Sequence, residues 1–334
     1  MKIAIIGGGW VGCHLAYKFK NTHQITLYEK NKKLFEETSY NNQNRLHLGF
    51  HYSRNSKTRN LCKNTFDRFL DDYSFLTKEL PKNLYCIPQN ESIIDYGTFK
   101  EIFNKYNIKE ISTDLKNIEG CVNTDERFIN FKHTKSFFNQ ELKDLVINET
   151  IDKLKLKKLQ IEYDLVINCT NNHIKDKTKS NSFYEPTITL IYEKINETSF
   201  DALTLVDGKL FSIYPYQNNE YTITDVEHTP IKKFKSIKKL NKFISEFNTD
   251  IIKEKRDLIE SRIKKYYNGF TNDFTYKSYF LSTKSKIENL SEDRSPVISI
   301  NGNLINCFTG KIQGIYLIED YIKKFITNIK NETR

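Results

Sequence analysis

No stretch of the 334-residue chain approaches the twenty or so consecutive apolar residues that a membrane span requires, so an integral membrane protein is excluded. There are 12 glycines and 6 prolines, with no Gly/Ser or Pro linker and no internal repeat; any domains are expected to be interleaved. The six cysteines, Cys13, Cys62, Cys86, Cys121, Cys169 and Cys307, show no CxxC spacing and no cluster with histidine. That spacing argues against a disulfide framework and against a zinc site, and no metal is expected. The apolar run after Lys2 is too short for a secretory signal and reads as a buried strand entering a glycine turn, so a cytoplasmic chain is the expectation.

With 38% hydrophobic residues, 20 Tyr, 23 Phe and a mean hydropathy of -0.61, the composition is that of a soluble globular protein and rules out global disorder. Lys and Arg total 52 against 42 acids, a net charge of +10, which points toward an anionic partner. Basic groups such as Lys232, Lys233, Lys235, Lys238 and Lys239 lack an aromatic platform or a recognition-helix pattern. They read as solvated faces, so nucleic acid is not expected, whereas a phosphorylated or nucleotide-linked small-molecule substrate fits the charge.

Residues 2 to 30 read strand, glycine turn, helix, strand, and Phe66, Phe69, Leu70, Tyr73 and Phe75 fall near one face of a helix. From Thr187 the period changes to two: Thr187 to Tyr192, Ala202 to Val206, Leu210 to Tyr216 and Tyr221 to Val226 predict an antiparallel meander. Basic helical patterns follow from about Lys235 to Tyr267. Val297 to Ile300 and Leu304 to Phe308 flank Asn301-Gly302, a strong hairpin signal, before a last helix from about Gln313.

Gly7-x-Gly9-x-x-Gly12 follows an apolar strand and opens a helix, with small Ala16 further along it. Gly7 makes the turn, Gly9 lets backbone N–H groups reach a pyrophosphate, and Gly12 permits close helix packing. A second strand ends in Glu29-Lys30, about twenty residues on, where a carboxylate accepts from ribose hydroxyls. Together these predict an adenine dinucleotide site. A second GxGxxG is lacking, so a separate NADPH domain is not expected.

Gly7 to Glu29 resembles the N-terminal fingerprint of FAD enzymes of the D-amino-acid oxidase and glycine oxidase type. Asp164 to Thr170 resembles the strand and turn that return to the adenosine side of FAD in such proteins, with Asn171 standing where Gly is usual. Phe308-Thr309-Gly310-Lys311-Ile312-Gln313-Gly314 resembles the C-terminal turn and helix that lie against the flavin. The resemblance implies an α/β fold in which a Rossmann-like FAD-binding domain (1–80, 125–175 and 290–334) is interleaved with an antiparallel-sheet, α+β substrate domain (81–124 and 176–289). It implies FAD as cofactor, held by Gly7, Gly9, Trp10, Val11, Gly12, Glu29, Lys30, Asn44, Arg45, Leu46, Thr170, Gly310, Lys311, Ile312 and Gln313.

Residues 38 to 54 form the densest polar constellation of the chain, where the family passes its loop from pyrophosphate to isoalloxazine. The phrase Arg45-Leu-His47-Leu-Gly49-Phe-His51-Tyr52 resembles a subgroup associated with bacterial surface-glycan pathways. Its alternation with Leu46, Leu48 and Phe50 also fits a strand carrying structural histidines. His47, His51, Tyr52, Tyr214 and Tyr216 are the candidates for the catalytic wall, the two tyrosines reading equally as core. Arg294 is a candidate anchor for a substrate anion. The implied activity is oxidation of a C–N or C–OH group with hydride passing to FAD. The alternatives are a non-redox sugar rearrangement, a monooxygenation, or a non-enzymatic dinucleotide-binding protein.

Overall fold

The computed structural model describes residues 1–174, 182–288 and 293–332. Strand β1 (Lys2–Ile6), helix α1 (Trp10–Phe19) and strand β2 (Gln24–Glu29) form the expected strand–turn–helix–strand unit. Gly7 has φ +106°, and a Cβ there would lie 2.8 Å from the Cys169 carbonyl oxygen. A Cβ on Gly12 would come within 1.9 Å of the Gly7 carbonyl oxygen, so the turn and helix close only because both residues are glycine.

This unit sits in a six-stranded sheet whose order is Val297–Asn301, Leu304–Phe308, Leu165–Asn168, β1, β2, Val146–Asn148. It is parallel except for the first pair, the hairpin around Asn301-Gly302 with Gly302 at φ +60°. One face packs α1, helix α2 (Ser56–Tyr73) and the last helix, Gly314–Glu332, around Trp10, Phe69, Tyr73 and Tyr316. Phe75 departs from the predicted apolar face: α2 ends at Tyr73, and Phe75 lies in the following turn, 51% exposed.

The second sheet has eight strands, ordered Phe274–Ile287, Ser182–Lys194, Glu220–Asp225, Phe211–Pro215, Ala202–Leu205, Asn83–Pro88, Ile118–Asn123, Lys109–Glu110. Three of the four predicted runs form the meander. The first, Ser182–Lys194, instead pairs with the last and with the long strand Phe274–Ile287. Ala202–Leu205 pairs in parallel with Asn83–Pro88 instead. Arg45–Leu46, Arg127–Ile129 and Thr77–Lys78 form a third, three-stranded sheet. The expected domain boundaries at 175/176 and 289/290 lie outside the described residues.

A second departure concerns cysteine. Cys86 and Cys121 sit directly opposite each other on neighbouring antiparallel strands and form a disulfide, Cα to Cα 4.2 Å. Sequence spacing of 35 gave no sign of it, since cross-strand register is decided by the sheet. No helix among the described residues is long and apolar enough to cross a membrane.

Candidate active site

One cavity of about 980 Å³ runs from the α1 N-terminus to the ends of the second sheet. At its first end lie Gly7, Gly9, Trp10 and Val11, with Gly9 capping α1 without a side-chain hydrogen bond. Helix amides left in this way favour an anion. Glu29, 8% exposed, lines the same end; its Oε2 accepts from the Gly8 N–H at 2.7 Å and its Oε1 from the Asn31 N–H at 2.9 Å. The carboxylate thus ties β2 to the glycine turn and keeps lone pairs for further donors. Lys30 pairs with Glu37 at 2.6 Å, and both line the cavity.

Thr170 lies at the end of strand Leu165–Asn168, its hydroxyl donating to Asn168 Oδ1 at 2.7 Å. Asn171 has φ +53°, the left-handed conformation that glycine usually takes there. Asn44 is also left-handed, φ +52°, and its side chain donates to the Tyr40 and Asn42 carbonyls, which turns the chain so that Arg45 enters the cavity wall.

The histidine segment is not a regular strand. Strand pairing stops at Leu46, Gly49 has φ +110°, and Phe50–Tyr52 is a short 3-10 turn. That turn brings the His47 and His51 rings to 6.2 Å and the His47 and Tyr52 rings to 5.8 Å, all three lining the cavity. Lys311 arrives from the other end of the chain: its Nζ lies 3.1 Å from His47 Nε2 and 4.6 Å from the Tyr52 ring centre. Gly310 and Ile312 line the cavity beside it, as does Arg294.

Glu126 holds this cluster from behind. It is fully buried; Oε1 accepts from the Leu48 N–H at 2.8 Å and the Gly49 N–H at 3.2 Å, and Oε2 accepts from the Tyr85 hydroxyl at 2.6 Å. The same Oε2 is 3.5 Å from His47 Nδ1, a charge contact rather than a hydrogen bond. Burial works to raise Glu126, but His47, Arg45 and the Tyr85 hydroxyl outweigh it and hold the carboxyl at about 2. Burial and the Lys311 cation lower His47 to about 4, and the same causes push His51 well below the ordinary imidazole range. Both rings are neutral at pH 7. Lys311 is lowered to about 7, chiefly by burial, with Arg294, Lys284 and Arg45 adding like charge. Lys284 reaches water through the cavity, yet protein encloses it closely enough that desolvation, then Lys286, lowers it to about 8.

Several predicted residues lie behind the wall. Gly12 serves helix packing, Leu46 is in the core, and Gln313 is buried, donating to the carbonyls of His47 and Cys62. Tyr214 and Tyr216 are not among the described lining residues. Tyr214 is fully buried, donates to the Arg127 carbonyl at 3.0 Å and underlies the Arg45 guanidinium at 4.1 Å; Tyr216 stacks on Phe131 at 4.5 Å. Residues 225–228 form a turn in which Asp225 accepts from the Glu227 and His228 amides and pairs with Arg262. Glu126, one of the adjacent acids Asp125-Glu126, and Lys284 had no sequence signature, whereas Ser39, which accepts the Trp10 N–H at 3.1 Å, lies within the polar constellation of residues 38 to 54.

A family model described as FAD dependent oxidoreductase matches residues 2–83. Over 97% of this chain and 90% of the relative, 32% of residues are identical to the FAD-dependent monooxygenase FPY4 of Fusarium mangiferae. The chain belongs to the FAD dependent oxidoreductase family. A second relative, the FAD-dependent monooxygenase kojA of Aspergillus flavus, is 22% identical over 98% of this chain and 86% of its own. Both are fungal, and neither name bears on the surface-glycan subgroup. Among solved structures, glycine oxidase from Geobacillus kaustophilus aligns with TM-score 0.68, 9% identity, and 98% and 94% of the two chains covered. The FAD-bound L-alpha-glycerophosphate oxidase of Mycoplasma pneumoniae aligns with TM-score 0.67 at 13% identity, over 96% and 92%. These likenesses establish the fold.

The cofactor of this family member is FAD, and the site fits it. The α1 N-terminus, of which Ser39 takes the Trp10 amide, suits a pyrophosphate at its remaining amides, buried Glu29 suits a ribose, and the Arg45 guanidinium keeps Nε and one terminal nitrogen buried without a partner at the cavity wall.

Proposed function

We propose that this flavoenzyme oxidises a small polar substrate at a carbon bearing an amine or hydroxyl, with Lys311 and His47 as the proton-accepting pair. The observation that carries the proposal is their 3.1 Å contact at the cavity wall, with His47 neutral and Lys311 lowered to about 7. A base poised near the working pH combines the right protonation state with useful proton affinity. In either protonation state Lys311 Nζ can donate to His47 Nε2, which is then the acceptor while Nδ1 carries the ring proton toward Glu126, and in the neutral state the Nζ lone pair is free to take a proton. As the carbon–amine or carbon–hydroxyl bond of the substrate becomes an imine or a carbonyl, the substrate gives up a hydride from carbon and a proton from nitrogen or oxygen, and Lys311 Nζ in its neutral form takes the proton. FAD, when bound, supplies the two-electron acceptor for the hydride. Glu126 keeps the His47 ring in one tautomer, and Arg294 and Lys284 add positive charge that favours an anionic group on the substrate. In this reading Gly7, Gly9, Glu29, Arg45 and Thr170 hold the cofactor, and the eight-stranded sheet is the substrate domain.

Anaerobic addition of amines, amino acids, hydroxy acids, sugars and nucleotide-sugars tests this. Stoichiometric bleaching of the flavin by one class is expected. The names of the two fungal relatives favour a second reading, monooxygenation. Turnover that requires an external reductant and puts isotope from labelled dioxygen into the product would replace the first reading by the second.

A further inference from the structure

The inner end of the cavity, around Lys311, Arg294 and Lys284, is cationic; its outer end sets aliphatic side chains beside the Arg54–Asp207 ion pair and Lys209. Helix Ile237–Ser245 lines that end with Ile237, Leu240, Asn241 and Ile244, whose spacing of three and four residues puts them on one helical face. Across the chain, the turn before Leu210 brings Ile93 and Val226 to the same cavity: a Cβ on Gly208 would lie 3.7 Å from Ile93 Cγ1, and the Val226 N–H bonds the Leu210 carbonyl. Ile93, Val226 and Ile244 are 60%, 50% and 39% exposed. Isolated exposed aliphatics are ordinary, but three that line one cavity with a helix face form a surface that gains by being covered.

We infer that the substrate carries an apolar chain that lies along the face of helix Ile237–Ser245 while its polar, reacting end reaches Lys311 and His47; this rests on the oxidation proposed above. Continuity of the cavity selects this occupant, because the apolar wall and the proton-accepting pair share one space. A chain of methylenes leaving the polar end meets Ile93, Val226 and Ile244 and removes them from water together with itself.

Calorimetric titration of the FAD-loaded protein with straight-chain carboxylates from acetate to dodecanoate tests the inference, the carboxylate being matched to Lys284, Arg294 and Lys311. Affinity is expected to tighten about fourfold per methylene through the middle of the series. In Ile244→Asn and in Ile93→Ser, both at exposed positions, that increment should shrink for the long members and stay for the short ones. A flat series, or an increment untouched by both substitutions, overturns the inference. So does capture of the holoprotein by phosphatidylglycerol vesicles that Ile244→Asn abolishes, without chain-length dependence in solution, which would assign the face to a membrane surface. Chain-length dependence without flavin bleaching by any substrate would remove the oxidation reading and leave this one standing; bleaching by short substrates with a flat series would do the reverse.

Discussion

Substituting Glu126 by Gln isolates one charge at the centre of the site. The Gln side-chain oxygen takes the place of Oε1, because the Leu48 and Gly49 amides offer only donors there. The Gln nitrogen then occupies the Oε2 position, next to the Tyr85 hydroxyl and 3.5 Å from His47 Nδ1. An N–H there removes the negative charge that favours a proton on His47 Nδ1 and favours the tautomer protonated at Nε2, whose proton faces Lys311 and the cavity, so that Nε2 can no longer accept. Two consequences follow from this geometry. Flavin reduction by substrate should slow by about 10²- to 10⁴-fold, the range for losing an acid–base group, with FAD still bound. Arg45, 6% exposed, reaches Glu126 through the Tyr85 hydroxyl, which accepts from Arg45 at 2.8 Å and donates to Glu126 at 2.6 Å, and neutralising the charged end of that relay should cost about 1.5 to 3 kcal/mol. Stopped-flow reduction under anaerobic conditions reads the first effect, and urea unfolding reads the second. Adding Arg45→Met to Glu126→Gln should recover much of the stability and none of the rate. Reduction at the parent rate in Glu126→Gln, or additive stability losses in the double variant, would refute the tautomer reasoning and the coupling of Arg45 to Glu126 through Tyr85.

Three shorter tests bear on the rest of the site. Glu29→Gln leaves one oxygen for the two amides of Gly8 and Asn31, so FAD affinity should fall by about 1.5–3 kcal/mol in a spectroscopic titration; an unchanged affinity would place the ribose elsewhere. Lys311 sheds its proton as pH rises through about 7, so the parent reduction rate should climb across that range and level off above it; in Lys311→Met a surviving inflection would assign the proton to another group. Tyr214→Phe removes a buried hydrogen bond to the Arg127 carbonyl and should cost about 1 kcal/mol in thermal unfolding while flavin reduction keeps the parent rate, and a large rate loss would return Tyr214 to the catalytic wall.

What the sequence determined by itself is local. The strand–turn–helix at Gly7 to Phe19, the Asn301-Gly302 hairpin and the left-handed residue at Asn171 each follow from chain sterics over a few neighbouring positions. The FAD fingerprint is legible because a pyrophosphate needs close backbone, and close backbone needs glycine at fixed spacing. Tertiary structure alone decided the rest. Glu126 meets the Leu48 amide from 78 residues away, Lys311 meets His47 across 264, and the Cys86–Cys121 disulfide depends on strand register. The meander misplaced its first strand because periodicity marks a strand without naming its neighbour. The His47 and His51 rings converge through a turn at Gly49, which alternation with leucines could not distinguish from a strand. Charge balance in the cavity is likewise set by burial, which brings Lys311 to about 7, and by the partners that keep Glu126 ionised; both are properties of the folded whole.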